Sequence, residues 1–210
     1  MNRKVKKIIS ALMGISIGLT MLTGCGEKKE TGNSESTFTV TLPTGPEDSA
    51  VYVEAVPGIA DDFIRGMDAS SVLVEENSGV KYYNFAGEEQ DVFQTFAEAG
   101  VNYIRLRVWN DPYDENKKGY GGGNNDVPTA IELGKRASRY GMKVCIDFHY
   151  SDFWADPKRQ HAPKAWENMD VSQLEQAVYN YTTEVMDICK ENGCLPDMVQ
   201  TGNELSNGML

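Results

Sequence analysis

The sequence predicts an α/β fold of the (β/α)8 TIM-barrel class, with only the first half, about four βα units, present in this chain. Three observations predict it. Apolar runs of strand character alternate with runs of helical period, which implies βαβ units and a parallel sheet. Three of the helical runs stop at a glycine that is followed within a few residues by a strand, so the links from helix to strand are short. The links from strand to helix are long, about sixteen residues over Asn110–Asn125 and about nineteen over Ser151–Met169. Long loops confined to the carboxyl ends of the strands are where such a barrel builds its site. A doubly wound sheet is the alternative, disfavoured because no glycine-rich phosphate turn follows a strand; Gly121-Gly122-Gly123 lies mid-loop.

The chain opens with Arg3, Lys4, Lys6 and Lys7 ahead of the mostly apolar run Ile8–Leu22, short for a membrane span and of the right length for a secretory signal. Leu22-Thr23-Gly24-Cys25 resembles a bacterial lipobox, so residues 1–24 read as a lipoprotein signal peptide and Cys25 as the lipidated residue. A plain signal peptide with a chance cysteine is the alternative. The expectation is an exported protein, tethered to the outer face of the bacterial cell membrane through Cys25 or secreted. Residues 25–36 are a polar tether. Residues 37–61 read as a short β-rich preface, with Phe38, Val40 and Leu42 alternating and a second β-like run over Val51–Val56. It is too short to bury a core of its own.

The half-barrel occupies residues 62–210. Phe63–Asp68 reads as the first strand. Gln90–Ala99 carries Val92, Phe93, Phe96 and Ala97 at helical spacing, with Gly100 as the stop. Val101–Trp109 is a second strand, with Ile104, Leu106 and Val108 on one face and Tyr103, Arg105, Arg107 and Trp109 on the other. Asp126 can cap the next helix, which has Pro128 in its first turn, Ala130, Gly134 and Ala137 along one face, and Gly141 at its end. Met142–Phe148 is the third strand and leads into His149-Tyr150. The long helix Val171–Asn192 has Asp170 as cap, Gly193 as stop and an apolar stripe of Leu174, Val178, Tyr181, Val185 and Ile188. Asp197–Gly202 is the fourth strand, and it presents Asn203-Glu204.

With 40% hydrophobic and 24% charged residues the chain is globular in composition. Its net charge of −11 becomes −15 once residues 1–24, with four positive charges and no acids, are removed. That balance excludes nucleic acid, whose binding rests on Lys and Arg, and suits a neutral ligand. Cys145, inside an apolar run, reads as a buried small hydrophobe, while the pairing of Cys189 with Cys194 is left open.

Glycosidic bonds are usually cut by two carboxyl groups, one of which protonates the leaving oxygen. Glu204, at a strand end beside a hydrogen-bonding Asn203, is a candidate for that acid; a surface glutamate capping the next turn is the alternative. Arg107 is a candidate to orient a carboxylate through two parallel hydrogen bonds, against a plain surface salt bridge. His149 to Pro157 packs His149, Asp152, Trp154 and Asp156 into nine residues, and flat rings beside short polar groups suit a sugar. A histidine at a strand end is also often a hydrogen-bonded core residue. With two histidines and no H-x-H or H-x3-H pair a metallohydrolase barrel is not expected, and with no EF-hand loop no calcium or other cofactor is indicated in this half, calcium in the other half being left open.

The runs Phe63–Ser71, Tyr103–Pro112, Gly119–Asp126, Asp147–Pro157 and Gln200–Glu204 resemble, in order, the signatures of glycoside hydrolase family 53, the arabinogalactan endo-β-1,4-galactanases. The resemblance implies a (β/α)8 barrel and a retaining double displacement on the galactan side chains of pectin. It implies that Glu204 is the proton donor, that Asn203 touches the 2-hydroxyl of the reacting sugar and that Arg107 supports the nucleophile. The loop after the third strand then lines the substrate subsites, with Asp156, Lys158 and Arg159 as hydroxyl contacts and Trp109 and Trp154 as stacking platforms. The family's nucleophile, a glutamate ending strand seven, has no counterpart among these 210 residues. A monomer acting on β-1,4-galactan is expected, and residues 1–210 alone are expected neither to fold stably nor to cleave it. A non-catalytic galactan-binding lipoprotein and a related barrel β-glycanase are the alternative readings.

Overall fold

The computed structural model describes residues 56–206 and 208–210. The signal peptide, Cys25, the tether and most of the preface lie outside these residues. Of the preface only 56–61 is described, and it holds a turn and no strand.

Four strands, β1 (Gly66–Asp68), β2 (Tyr103–Val108), β3 (Lys143–Phe148) and β4 (Met198–Thr201), form one sheet in the order β1-β2-β3-β4, every neighbouring pair parallel. Between them run α1 (Val72–Asn77), α2 (Val92–Glu98), α3 (Val127–Arg139) and α4 (Val171–Glu191). A doubly wound sheet reverses its strand order at a switch point, and this one does not. Consecutive neighbours with a helical crossover each time make about half of a (β/α)8 barrel.

The register explains the two faces. Ile104 pairs with Val144, Leu106 with Ile146 and Val108 with Phe148, so one face of β2 and β3 is wholly apolar. All six are at most 3% exposed and pack with Phe93, Leu133, Ala137 and Val185 from the helices. Gly134 lets α3 lie close, since a Cβ there would sit 3.7 Å from Leu106 and 3.8 Å from Val144. Asp68, Arg105, Arg107, Asp147 and Gln200 alternate onto the opposite face.

The expected caps form. Asp126 accepts from the amide of Thr129, and Asp170 makes a capping box with Gln173. Gly193, at φ +68°, closes α4: its amide and that of Cys194 donate to the carbonyls of Lys190 and Cys189. Cys145, Cys189 and Cys194 are free buried thiols. The first strand is shorter than expected. The Asn102 carboxamide accepts from the Arg65 amide at 2.8 Å and donates to the Phe63 carbonyl at 2.9 Å, a side-chain substitute for ladder bonds there. Helix α1 has no counterpart in the elements read from the sequence: it is six residues long, and its two valines favour strands locally. Arg136 of α3 anchors it, with Nη1 and Nη2 on the Glu76 carboxylate at 2.7 and 2.6 Å and Nε on Asp91 at 2.8 Å.

Candidate active site

The carboxyl ends of the strands bring the predicted residues to one rim. On the polar face of the sheet, Arg105 joins every strand. Its Nη1 donates to Asp68 of β1 at 2.7 Å, its Nε to Gln200 of β4 at 3.1 Å, and its Nη2 to Asp147 of β3 and to Asn203 Oδ1 at 2.8 Å. Asp147 is fully buried, and a buried carboxylate requires such a partner. Asp68 is the other acid of the group. Burial pushes its pKa up, but the hydroxyl and amide of Ser70, the charge of Arg107 and the hydrogen bond from Arg105 outweigh that and hold it below the usual aspartate value.

Asn203 is 6% exposed and held on all sides. Its Oδ1 accepts from Arg105 and from Gln200 at 3.3 Å, its Nδ2 donates to the carbonyl of Ala155 at 2.7 Å, and its own carbonyl accepts from Gln160 at 2.8 Å. One of its two amide protons is left for a ligand. Glu204 follows, exposed and at φ +52°. A side chain other than glycine adopts that backbone at a cost of about 1 kcal/mol or more, and such outliers cluster where a structure must aim a group. Tyr150, at the end of β3, has the same conformation at φ +50°.

Several expected contacts turn out differently. Arg107 makes no paired hydrogen bonds to a carboxylate among the described residues. Its Nη2 lies 3.3 Å from Ser71 Oγ and 3.8 Å from Asp68, its guanidinium stacks 4.2 Å over the Trp154 ring, and its buried Nε has no partner. Among the described residues it is Arg105, two residues earlier on the same strand face, that holds carboxylates, those of Asp68 and Asp147. The alternation that singled out Arg107 pointed equally to Arg105.

His149 is 1% exposed, with Nδ1 accepting from the Trp109 indole at 3.2 Å and from the Ala155 amide at 3.1 Å. That assigns the proton to Nε2, which donates to Asp147 at 3.1 Å. Both nitrogens are engaged, so His149 acts here as a buried support and touches no open space. Trp109 is also fully buried, edge-on to His149 and Trp154 and 4.9 Å from the ring of Phe153, so it is no stacking platform. Trp154, 37% exposed, keeps that capacity. Asp152 uses both oxygens internally, accepting from the amides of Asp111 and Lys164 at 2.9 Å each. It ties loops and offers little to a sugar.

Asp156 and Arg159 bracket a tight turn in which the Asp156 carboxylate accepts from the Lys158 amide at 2.8 Å. Lys158 and Arg159 stand exposed at its tip. Gln160, bonded to the carbonyls of Asp156 and Asn203, connects this turn to the end of β4. The glycine run also takes part. A Cβ on Gly122, at φ +65°, would lie 3.1 Å from Trp109 and 3.3 Å from Trp154, so this loop can close over the aromatic cluster only with glycine there.

Residues 64–210 match the model of the family described as Glycosyl hydrolase family 53. The chain belongs to glycosyl hydrolase family 53. This family 53 chain is 53% identical over 158 residues to the "Endo-beta-1,4-galactanase" of Bacillus subtilis (strain 168), covering 75% of this chain and 37% of that one. It is 43% identical over 146 residues to the "Probable arabinogalactan endo-beta-1,4-galactanase A" of Aspergillus terreus, covering 70% and 40%. Among solved structures it is similar to the "Ignisphaera aggregans GH53 catalytic domain", with TM-score 0.74, 51% identity and coverage of 76% of this chain and 44% of that one. The family 53 chain therefore spans less than half the length of the relatives it matches.

Proposed function

We propose that this chain is the N-terminal part of a retaining endo-β-1,4-galactanase acting on the galactan side chains of pectin, with Glu204 as its proton donor. The observation that carries the reading is the rim of β4. Asn203 is buried and tethered to Arg105 of β2, to Gln200 of β4 and to the loop after β3, and Glu204 projects beside it in a left-handed backbone conformation. The names of the two galactanase relatives supply the substrate class.

In this reading Glu204 gives its proton to the glycosidic oxygen as the bond breaks, and a second carboxylate about 5–5.5 Å away, from the later half of the barrel, attacks the anomeric carbon. Glu204 then takes a proton from water as the galactosyl intermediate is hydrolysed. The free amide proton of Asn203 is available to the 2-hydroxyl, where a hydrogen bond strengthens in the transition state. Arg105 keeps Asn203 in place. Trp154, and the turn carrying Asp156, Lys158 and Arg159, line the approach for neighbouring sugars. The protein is exported and held at the membrane by lipid on Cys25, a reading supported by the lipobox-like Leu22–Cys25.

The test uses a protein carrying the complete barrel. Glu204→Gln should lower cleavage of unactivated galactan by about 10²–10⁴-fold, the usual contribution of a general acid, and leave galactan binding intact. Wild-type turnover in that variant would remove Glu204 from the role. Comparing rates on galactan, cellulose, mannan and xylan decides specificity, and mass analysis of Cys25→Ser against the parent reads lipidation.

A further inference from the structure

The two long rim loops, residues 110–126 and 149–170, meet through bonds that converge on one lysine. Lys164 Nζ donates to the carbonyls of Asp111 at 2.6 Å and Tyr113 at 3.1 Å, and lies 2.9 Å from the Asp111 carboxylate and 3.3 Å from that of Asp152. It also sits 5.6 Å from the centre of the Tyr120 ring. The backbone reinforces the junction: the Lys164 and Asp111 amides both donate to Asp152 at 2.9 Å, and the Asn110 amide donates to the Ser151 carbonyl at 2.9 Å.

An ammonium has three N–H donors, and here they face two carbonyls and two carboxylates. Although its side chain is 42% exposed, Lys164 has turned its head group onto the neighbouring loop. Burial works against its charge, but the bond to Asp111 and the charge of Asp152 prevail and raise its pKa. The loops it joins each carry an exposed ring. Tyr120 stands on the first at 45% exposure and Trp154 on the second at 37%. Phe153 lies between them, 6.3 Å from Tyr120 and in contact with Trp109. The separation of Tyr120 and Trp154 therefore depends on how the two loops are held together.

We propose that Lys164 is a positioning residue, a latch that holds the loop bearing Tyr120 against the loop bearing Trp154 and so sets the affinity of the rim for a chain of several sugar units. The inference rests on the galactanase reading for its ligand, while the latch itself is read without activity. Lys164 takes no part in breaking the bond.

The experiment compares Lys164→Met, which keeps the apolar stem and removes all donors, with Lys164→Arg, which keeps charge and donors. In a protein carrying the complete barrel, K164M should raise KM for polymeric galactan about ten-fold, the equivalent of one or two lost charge-assisted bonds, with kcat changed less than about two-fold. On an aryl β-1,4-galactobioside, too short to span the rim, both constants should stay within about two-fold, and K164R should recover most of the loss on polymer. Amide hydrogen exchange over residues 110–120 should be about ten-fold faster in K164M than in the parent or K164R. Unchanged exchange overturns the latch. An unchanged KM on polymer, or equal losses of kcat on both substrates, overturns its role in affinity. If the parent does not cleave galactan, the galactanase reading fails, and the exchange comparison still judges the latch.

Discussion

The two faces of β2 and β3 differ in kind. Toward the helices they present Ile104, Leu106, Val108, Val144, Ile146 and Phe148, all but excluded from water and held by shape alone. Toward the barrel interior they present Arg105, Arg107 and Asp147, held by directed bonds, with Asp147 Oδ1 and Arg107 Nε buried and unpartnered. The first face accumulates apolar burial, at roughly 25 cal/mol per Å², and tolerates exchange among side chains of similar volume. The second face gives up part of that stability to hold charged groups in fixed places. One face carries the core and the other the candidate site, within the same dozen residues.

Substitutions on each face should behave differently, and the largest effect is expected on the apolar one. Phe148→Ala should cost about 3–5 kcal/mol in chemical denaturation of the complete-barrel protein, with kcat per folded molecule unchanged. A loss of kcat as large as the loss of stability would erase the distinction between the faces. Arg105→Met should cost about 3 kcal/mol by stranding the Asp147 charge, and should depress activity by displacing Asn203. Adding Asp147→Asn should restore stability more than activity; equal recovery of both would argue that the arginine serves the fold alone.

Acid should act on the carboxylates that partner arginines. Asp68 and Asp91 are both held below the usual aspartate value of 3.8: burial raises each, and hydrogen bonds from Ser70 or Arg136 together with arginine charge lower them further. A lowered folded pKa contributes stability that is complete above about 3.8 and is lost as pH falls through the folded value. Thermal melts should therefore steepen in their decline below pH ~4, and less so in Asp68→Asn and Asp91→Asn. A parallel decline in all three proteins would assign acid unfolding to other groups. The smallest effect is alkaline. The hydrogen bond from Tyr113 to Asp126, with burial and that negative charge, pushes the phenol up to about 12. Its contribution is complete below the ordinary tyrosine value of 10.0 and disappears as pH rises toward about 12, so Tyr113→Phe should lose part of the alkaline slope of the melting temperature.

Much of this was legible along the chain. Period-2 and period-3.6 patterns located β2, β3, α2, α3 and α4, and Asp126, Asp170, Gly100, Gly141 and Gly193 marked the ends of those helices, because such signals depend on residues within one turn of each other. Helix α1 was not legible: its valines favour strand locally, and its anchor Arg136 lies sixty residues away in sequence. The same reason separates Arg105 from Arg107. Both alternate onto the polar face, and only the register of β1, β3 and β4 decides which one meets Asp68, Asp147, Gln200 and Asn203.

By itself the sequence determined the order of the four strands and of the helices α2, α3 and α4, the face each strand residue occupies, the long rim loops and the placing of Glu204 just past the end of β4. Tertiary structure alone decided that Trp109 and His149 are buried, that Asp152 is used up in tying loops, and that Lys164 joins them. Facing is a property of neighbouring residues, whereas exposure and partnership depend on what other strands and loops bring within a few ångströms, and no local pattern carries that distance.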